Sequence, residues 1–360
     1  MKKKLLAVAL CCGLLMTACG SEPTADSTIS TDSQTGTDLN ADEQTDNQET
    51  IDESSSTDDS DSEPVEEEHV PAEIALLIPT KYIMTYEGEQ GTIEEISYMA
   101  QDYLGDGEPY EKRAFVYLPA GYDETKQYNV VYLMHGIGGS ENEWGFNDKY
   151  NSKLKKILDR LMGDGDVEPF IVVTPNGKAL ALSNIDGNDL FYNYAYELRN
   201  DLIPYIDGHY ATYADYSEDG YDLTAARTHR AMAGLSMGGM QTINIGICEC
   251  LDIFSWFGAF SAAPTSYEST VVGQYIDNSE YTVDYFYNIC GLDDSIAYWS
   301  AAAAARNLPD VCENITEAEN FTWHEKSGGH DFNIWYLGMY NFAQIAFNED
   351  ASAASVFAED

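Results

Sequence analysis

The chain has 360 residues, room for one large domain or two ordinary ones. Its formal net charge of −44 makes nucleic acid and anionic membrane surfaces poor partners and favours a neutral or weakly charged substrate. That charge is uneven: 17 of the 62 acidic residues lie between Gly20 and Val70, where there is no Lys or Arg, and the remainder beyond Lys2–Lys4 still carries −30.

Residues 1–19 read as a targeting segment. Lys2-Lys3-Lys4 is a positive n-region, and Leu5 to Met16 is an apolar core too short to span a bilayer comfortably. The run closes Leu15-Met16-Thr17-Ala18-Cys19, which resembles a bacterial lipobox and predicts lipidation at Cys19. Two or more acyl chains there would give stable anchoring. Residues 20–71 are Ser, Thr, Asp, Glu, Gln and Asn with almost no large apolar side chain, so they predict a disordered tether with a reach of about 40 Å. Such a tether would hold a folded domain (72–349, then a short tail at 350–360) off a bacterial cell surface. Cys11 and Cys12 leave with the signal. The spacing of Cys248, Cys250, Cys290 and Cys312 shows no disulfide framework, which favours free, buried thiols.

Within the folded domain, Gly91–Tyr98 and Lys112–Leu118 read as an antiparallel pair of edge strands, and Tyr128–Met134 as a strand covered on both faces. The pattern then alternates. Lys153–Met162 puts Leu154, Ile157, Leu158 and Leu161 on one helical face. Phe170–Thr174 is a strand, Leu190–Tyr205 a helix, Arg230–Ala233 a strand and Met240–Ile247 a helix. Phe257–Ser261 and Val283–Cys290 follow as strands, Ile296–Leu308 as a helix, Phe321–Glu325 as a strand and Asp331–Phe347 as the last helix. Strands alternating with helices predict an α/β fold: a mainly parallel sheet with helices on both faces and antiparallel strands at its N-terminal edge. Function in such sheets sits at the carboxyl ends of the strands.

One such end carries Gly234-Leu235-Ser236-Met237-Gly238, a G-x-S-x-G between a strand and a helix, the setting of a nucleophile elbow. A side chain at 234 or 238 would crowd that turn. A serine hydroxyl needs a base to take its proton, and the base needs a third group to fix its tautomer. Only His324 and His330 follow Ser236. His324 lies in the alternating Phe321-Thr322-Trp323-His324-Glu325 and reads as a sheet residue. His330 lies in the glycine-rich Ser327-Gly328-Gly329-His330-Asp331 and reads as the base. Asp293 and Asp294 both stand where the acid belongs; either could reach His330 while the other caps the helix that follows. Asp331 reads as a helix N-terminal residue. For the oxyanion, Met237 supplies one backbone N–H. The loop His135-Gly136-Ile137-Gly138-Gly139 supplies the second, assigned to Ile137 with Gly136 or Gly138 as alternatives. His135 reads as loop packing.

Together with Val116–Tyr122, Leu133–Trp144, Ser261-Ala262-Ala263-Pro264 and Gly328–Trp335, these motifs resemble the esterase D-type α/β-hydrolases, in particular the feruloyl esterase modules of the first carbohydrate-esterase family. The resemblance covers Gly91 to Phe347 and implies Asp294 as the acid. It also implies two-step acyl transfer from feruloyl esters on plant cell-wall xylan, with no cofactor; no metal-ligand spacing is present. The same triad would serve an acetylxylan esterase or another acyl esterase or acyltransferase of the fold. A reading from another class is a non-catalytic, surface-anchored carbohydrate binder. Among aromatics near the expected mouth (Trp144, Tyr192, Tyr194, Tyr267, Trp335), Trp144 and Trp335 are the candidate substrate contacts.

Overall fold

The computed structural model describes residues 74–179, 189–217, 220–317 and 319–348. The targeting segment at 1–19 with Cys19, the tether at 20–71 and the tail at 350–360 lie outside the described residues.

Two N-terminal strands, β1 (Thr92–Gln101) and β2 (Pro109–Leu118), pair antiparallel from Thr92 opposite Leu118 to Gln101 opposite Pro109. Next come β3 (Asn129–Met134), β4 (Phe170–Pro175), β5 (Arg230–Leu235), β6 (Trp256–Phe260), β7 (Tyr285–Gly291) and β8 (Phe321–Lys326). The eight form one sheet in the order β1-β2-β4-β3-β5-β6-β7-β8, antiparallel as far as the β2–β4 pair and parallel from there on. The parallel part is apolar on both faces because both are covered. On β3, Val130, Tyr132 and Met134 join the layer holding Leu198, Leu202 and Ile206. Val131 and Leu133, one step out of phase, join the layer of Leu154, Ile157, Leu158 and Leu161. Those four leucines and isoleucines are the inner face of α1 (Lys153–Gly163), whose first turn is capped by Ser152 accepting from Lys155 N at 3.2 Å. At ~1.5–3 kcal/mol per buried aliphatic side chain, packing rather than intrinsic propensity holds such a helix in place.

The single helix expected over 190–205 is instead a broken path. It runs through α2 (Asp189–Tyr192), α3 (Ala195–Glu197), a π-turn at Leu198–Leu202 and α4 (Ile203–His209). Pro204 has no N–H to give an uninterrupted helix and stands in the first turn of α4, where none is required. The helix after the elbow begins earlier than expected, as α5 (Met237–Gln241), and continues as a π-turn over Thr242–Ile247. A helix that the sequence did not announce, α6 (Ser269–Asp277), packs beside α7 (Tyr298–Val311). The last helix is α8 (Phe332–Ile345), capped by Asp331 accepting from Asn333 N at 2.7 Å, the role expected of that aspartate. Cys248, Cys250, Cys290 and Cys312 are free and buried, and burial pushes the thiols of Cys250, Cys290 and Cys312 up to about 12. They are packing residues, not nucleophiles.

Candidate active site

β5 lies inside the parallel part of the sheet and ends in the elbow. Ser236 has φ 52° and ψ −113°, a conformation that costs a non-glycine residue ~1–3 kcal/mol. Its neighbours hold it there. Ser236 N donates to Phe260 O at 2.9 Å, and Ala263 N donates to Ser236 O at 2.9 Å, so the last residue of β6 and the segment after it hold the serine on both sides. The flanking glycines are required by contact. A Cβ on Gly234 would stand 2.6 Å from the Gly238 carbonyl carbon, and one on Gly238 would stand 2.6 Å from Met134 O.

The loops after β7 and β8 deliver the other two side chains. They run so close that a Cβ on Gly291 would lie 2.2 Å from Gly328 O, and Asp293 N donates to Gly328 O at 2.9 Å. Gly328, with φ +153°, turns the chain so that His330 faces the elbow. His330 Nε2 lies 2.9 Å from Ser236 Oγ, and His330 Nδ1 lies 2.7 Å from Asp294 Oδ2. An ionised carboxylate can only accept, so the proton sits on Nδ1 and Nε2 is left to accept from the serine hydroxyl. Asp294 does two things at once. Its Oδ2 takes His330, while its Oδ1 accepts from Ile296 N at 2.9 Å and Ala297 N at 2.8 Å. The expected division of labour, one aspartate for the histidine and one for the helix, is therefore corrected: Asp293 is exposed and Asp294 fills both roles. Burial acts to raise the Asp294 pKa, but the amide of Ala297, His330 and the amide of Ile296 outweigh it and hold the carboxyl below its ordinary value.

The turn Gly136-Ile137-Gly138-Gly139 faces the serine; a Cβ on Gly136 would stand 3.3 Å from Ser236 Cβ. Gly139 N donates to Gly136 O at 3.1 Å, and Gly138 has φ +76°, as at the third position of a type II turn. Of the three amides considered for the oxyanion, Gly136 is ruled out because its N–H donates to Glu143 Oε2 at 2.7 Å. Met237 opens α5, so its N–H has no partner within the helix.

The two other histidines near the sheet are structural, as expected. His135 Nε2 accepts from Gly177 N at 3.0 Å, so its Nδ1 donates to Gly136 O at 2.8 Å; burial lowers its pKa to about 4. His324 Nδ1 meets Tyr287 OH at 2.7 Å, and burial lowers it to about 4 as well. Two aromatic expectations change. Trp144 is fully buried and donates from its indole to Met134 O at 3.1 Å, and Tyr194 is also fully buried, so neither presents a ring to a ligand. Trp335 is buried edge-on against His330, with centroids 5.1 Å apart at 88°, and forms the wall behind the imidazole.

Tyr267, by contrast, is exposed at the mouth of a cavity of about 590 Å³ between the Ala262–Ala263–Pro264 segment and α7. Asn288 lines that cavity; it is 3% exposed and its Oδ1 has no hydrogen-bond partner among the described residues. A larger cavity, about 930 Å³, opens among Asn129, His229, Trp256 and Asp284, at the amino ends of the strands and away from Ser236. Residues that sequence reasoning did not assign include Asn288, Glu143, Ser261 and Cys290. Ser261 shares the positive φ of Ser236 (48°), and the Cys290 thiol lies 3.6 Å from Asp294 Oδ2.

A nucleophile elbow at the carboxyl end of a central parallel strand, with an ordered acid and histidine after it, defines an α/β-hydrolase fold with a serine site. The Esterase family model matches residues 110–324, and the chain belongs to that family. It is 42% identical over 142 residues to endo-1,4-beta-xylanase Y of Acetivibrio thermocellus, covering 39% of this chain and 12% of that protein. It is 36% identical over 155 residues to an endo-1,4-beta-xylanase/feruloyl esterase of Xylanibacter ruminicola, covering 41% of this chain and 19% of that protein. The chain thus spans less than a fifth of either curated relative. Among solved structures it is similar to the CE1 ferulic acid esterase of Anaeromyces mucronatus, with TM-score 0.63 and 24% identity over 77% of this chain and 99% of that one. It is also similar to the feruloyl esterase module from Clostridium thermocellum complexed with sinapinate, with TM-score 0.62 and 25% identity over 78% and 96%. The chain has the fold of a feruloyl esterase-like carboxylesterase.

Proposed function

We infer that this chain hydrolyses hydroxycinnamoyl esters, feruloyl above all, on plant cell-wall xylan through an acyl-enzyme on Ser236. The observation that carries the chemistry is the continuous hydrogen-bonded path Ser236 Oγ, His330, Asp294, with links of 2.9 and 2.7 Å at a strained elbow. In the first step Ser236 Oγ attacks the ester carbonyl carbon as His330 Nε2 takes the hydroxyl proton. Asp294, held ionised, stabilises the imidazolium. The oxyanion is met by the N–H groups of Ile137 and Met237. The carbon–oxygen bond to the sugar then breaks, and the sugar alcohol leaves with the proton from His330. Water, deprotonated by the same nitrogen, attacks the acyl-serine and releases the carboxylic acid. No step calls for a cofactor.

The acyl reading draws support from the cavity beside the elbow. Its wall includes Ala263, whose N–H donates to Ser236 O, and its volume is generous for an acetyl group and suited to a substituted aromatic ring. Asn288 Oδ1, buried in the wall of that cavity, is an acceptor of the kind that a phenolic hydroxyl reaching it would satisfy. The xylanase and feruloyl esterase names of the relatives point the same way for the substrate. The export signal and Cys19 support a location on the bacterial cell surface, with the enzyme joined to the membrane by lipid alone. The test is one rate comparison: a feruloylated arabinoxylan oligosaccharide against acetylated xylan. Feruloyl release is expected to have the higher kcat/KM, and faster deacetylation would overturn the acyl assignment.

A further inference from the structure

The turn that faces Ser236 is closed by its own Gly139 N–H to Gly136 O bond, and three side chains brace it further. His135 Nδ1 donates to Gly136 O, Lys178 Nζ donates to Gly139 O at 2.7 Å, and Gly136 N donates to Glu143 Oε2 at 2.7 Å. Only the last of these engages an amide next to an oxyanion donor. The Glu143 carboxylate also occupies the space beneath the turn, since a Cβ on Gly139 would lie 2.1 Å from Oε2 and 2.6 Å from the carboxyl carbon. Gly139 is therefore required by this carboxylate, while Gly136 is required by Leu235 and Ser236, from whose Cδ1 and Cβ a Cβ would stand 2.7 and 3.3 Å away. Glu143 takes no part in the Ser236–His330–Asp294 path, and nothing in the acyl-transfer chemistry calls for a carboxylate here. A negative charge beside a forming oxyanion would by itself oppose catalysis. What it contributes must come from geometry.

We propose that Glu143 is a positioning residue for the oxyanion hole: by accepting the Gly136 N–H from below the turn it aims the next amide, Ile137 N–H, at the substrate oxygen. The inference rests on the esterase reading above. Two consequences separate positioning from charge and from general stability. What matters is an acceptor at the right reach, so Glu143→Gln, which keeps a carbonyl oxygen there, retains function. Glu143→Asp keeps the charge but withdraws the oxygen, and loses function as Glu143→Ala does. The loss also appears where a tetrahedral oxyanion is bound, not where a planar acid is bound.

The experiment measures kcat and KM for a soluble aryl ester of ferulic acid on wild type and the Ala, Asp and Gln variants. Inhibition by an arylboronic acid, which forms a tetrahedral adduct on a serine, and by free ferulate is measured alongside. For Glu143→Ala and Glu143→Asp, kcat is expected to fall ~10²-fold with KM changed less than about twofold. Boronate affinity falls in step, and ferulate inhibition stays as in wild type. Glu143→Gln is expected to stay within about fivefold of wild type. Undiminished kcat and boronate affinity in the Asp variant, or a Gln variant as impaired as Ala, would overturn the proposal. A wild-type protein that neither hydrolyses the ester nor binds the boronate would instead overturn the esterase reading on which it rests.

Discussion

Arg230, which opens β5, and Ser236, just past its end, six residues apart, show opposite treatments of buried polar groups. At its amino end Arg230 is nearly inaccessible, and its guanidinium donates to Leu223 O and Asp207 Oδ2, each at 2.6 Å. Asp207 accepts further from Tyr221 OH at 2.5 Å and Thr212 Oγ1 at 2.8 Å, so both its oxygens are engaged by protein. The charges pair within the protein, and of this pair's polar atoms only Arg230 Nε lacks a hydrogen-bond partner among the described residues. At its carboxyl end the backbone is forced through a positive φ, and the side chains form a chain, Asp294 to His330 to Ser236, that ends on the serine hydroxyl. The first arrangement anchors the strand; the second spends part of that anchorage on a strained, poised serine. Stability and chemistry are thus separable along a single strand, and substitutions at its two ends should fall into different classes.

The largest effect expected is on turnover. Ser236→Ala should lower kcat at least ~10⁴-fold while leaving the circular dichroism spectrum and thermal midpoint close to wild type. At the other end, Arg230→Met removes one partner of a fully buried pair and strands the Asp207 carboxylate. It should cost ~3–5 kcal/mol of stability in denaturant melts, with kcat of the protein that remains folded little changed. A variant at 230 that abolishes chemistry without loss of stability would break the comparison. Between the two lies a pH effect. His135 and His324 are held near pKa 4 in the fold against about 6.5 in an unfolded chain. The unfolded state therefore binds more protons over that window. The stability these residues contribute is complete above about pH 6.5 and is lost as pH falls towards 4, so the thermal midpoint should drop by several degrees across that interval. Replacing either histidine with an apolar residue should shallow the slope. The smallest effect sharpens the contrast most: Ser236→Gly removes the positive-φ penalty at the cost of some chain entropy. It should melt at or slightly above the wild-type temperature, by up to ~1 kcal/mol, while being inactive.

Much of this was legible because the signals are local. The apolar runs at Val130–Met134 and Phe170–Val173, the elbow glycines, and Ser236 and His330 follow from patterns a few residues long, whereas local pattern leaves Asp293 and Asp294 open and only the family resemblance implies Asp294. What was missed depends on contacts between distant segments. Asp294 holds both His330 and the start of α7 because its two oxygens point apart, which no spacing reveals. Trp144 reads as a candidate substrate contact in sequence, yet it is fully buried and its indole donates to Met134 O beside the Gly136–Gly139 turn. The helix α6 escaped notice because only Ser269, Val272, Gly273 and Ile276 are buried, and Gly273 weakens the pattern. That glycine is there because a Cβ would stand 2.8 Å from Val311 O on the neighbouring helix. Asn288 lies in no motif, and Glu143 lies within the Leu133–Trp144 stretch but nothing in that pattern gives it a role; an unpartnered buried atom and a carboxylate beneath a turn mark them.

The central claim is that Ser236 is the nucleophile, activated by His330. The direct measurement is labelling with a fluorophosphonate followed by peptide mass mapping of wild type, Ser236→Ala and His330→Ala. One adduct is expected on wild type, on the peptide carrying Ser236, with none on the Ser236→Ala variant and greatly slowed labelling without His330. An unlabelled wild type, or an adduct that persists when Ser236 is gone, would contradict the account.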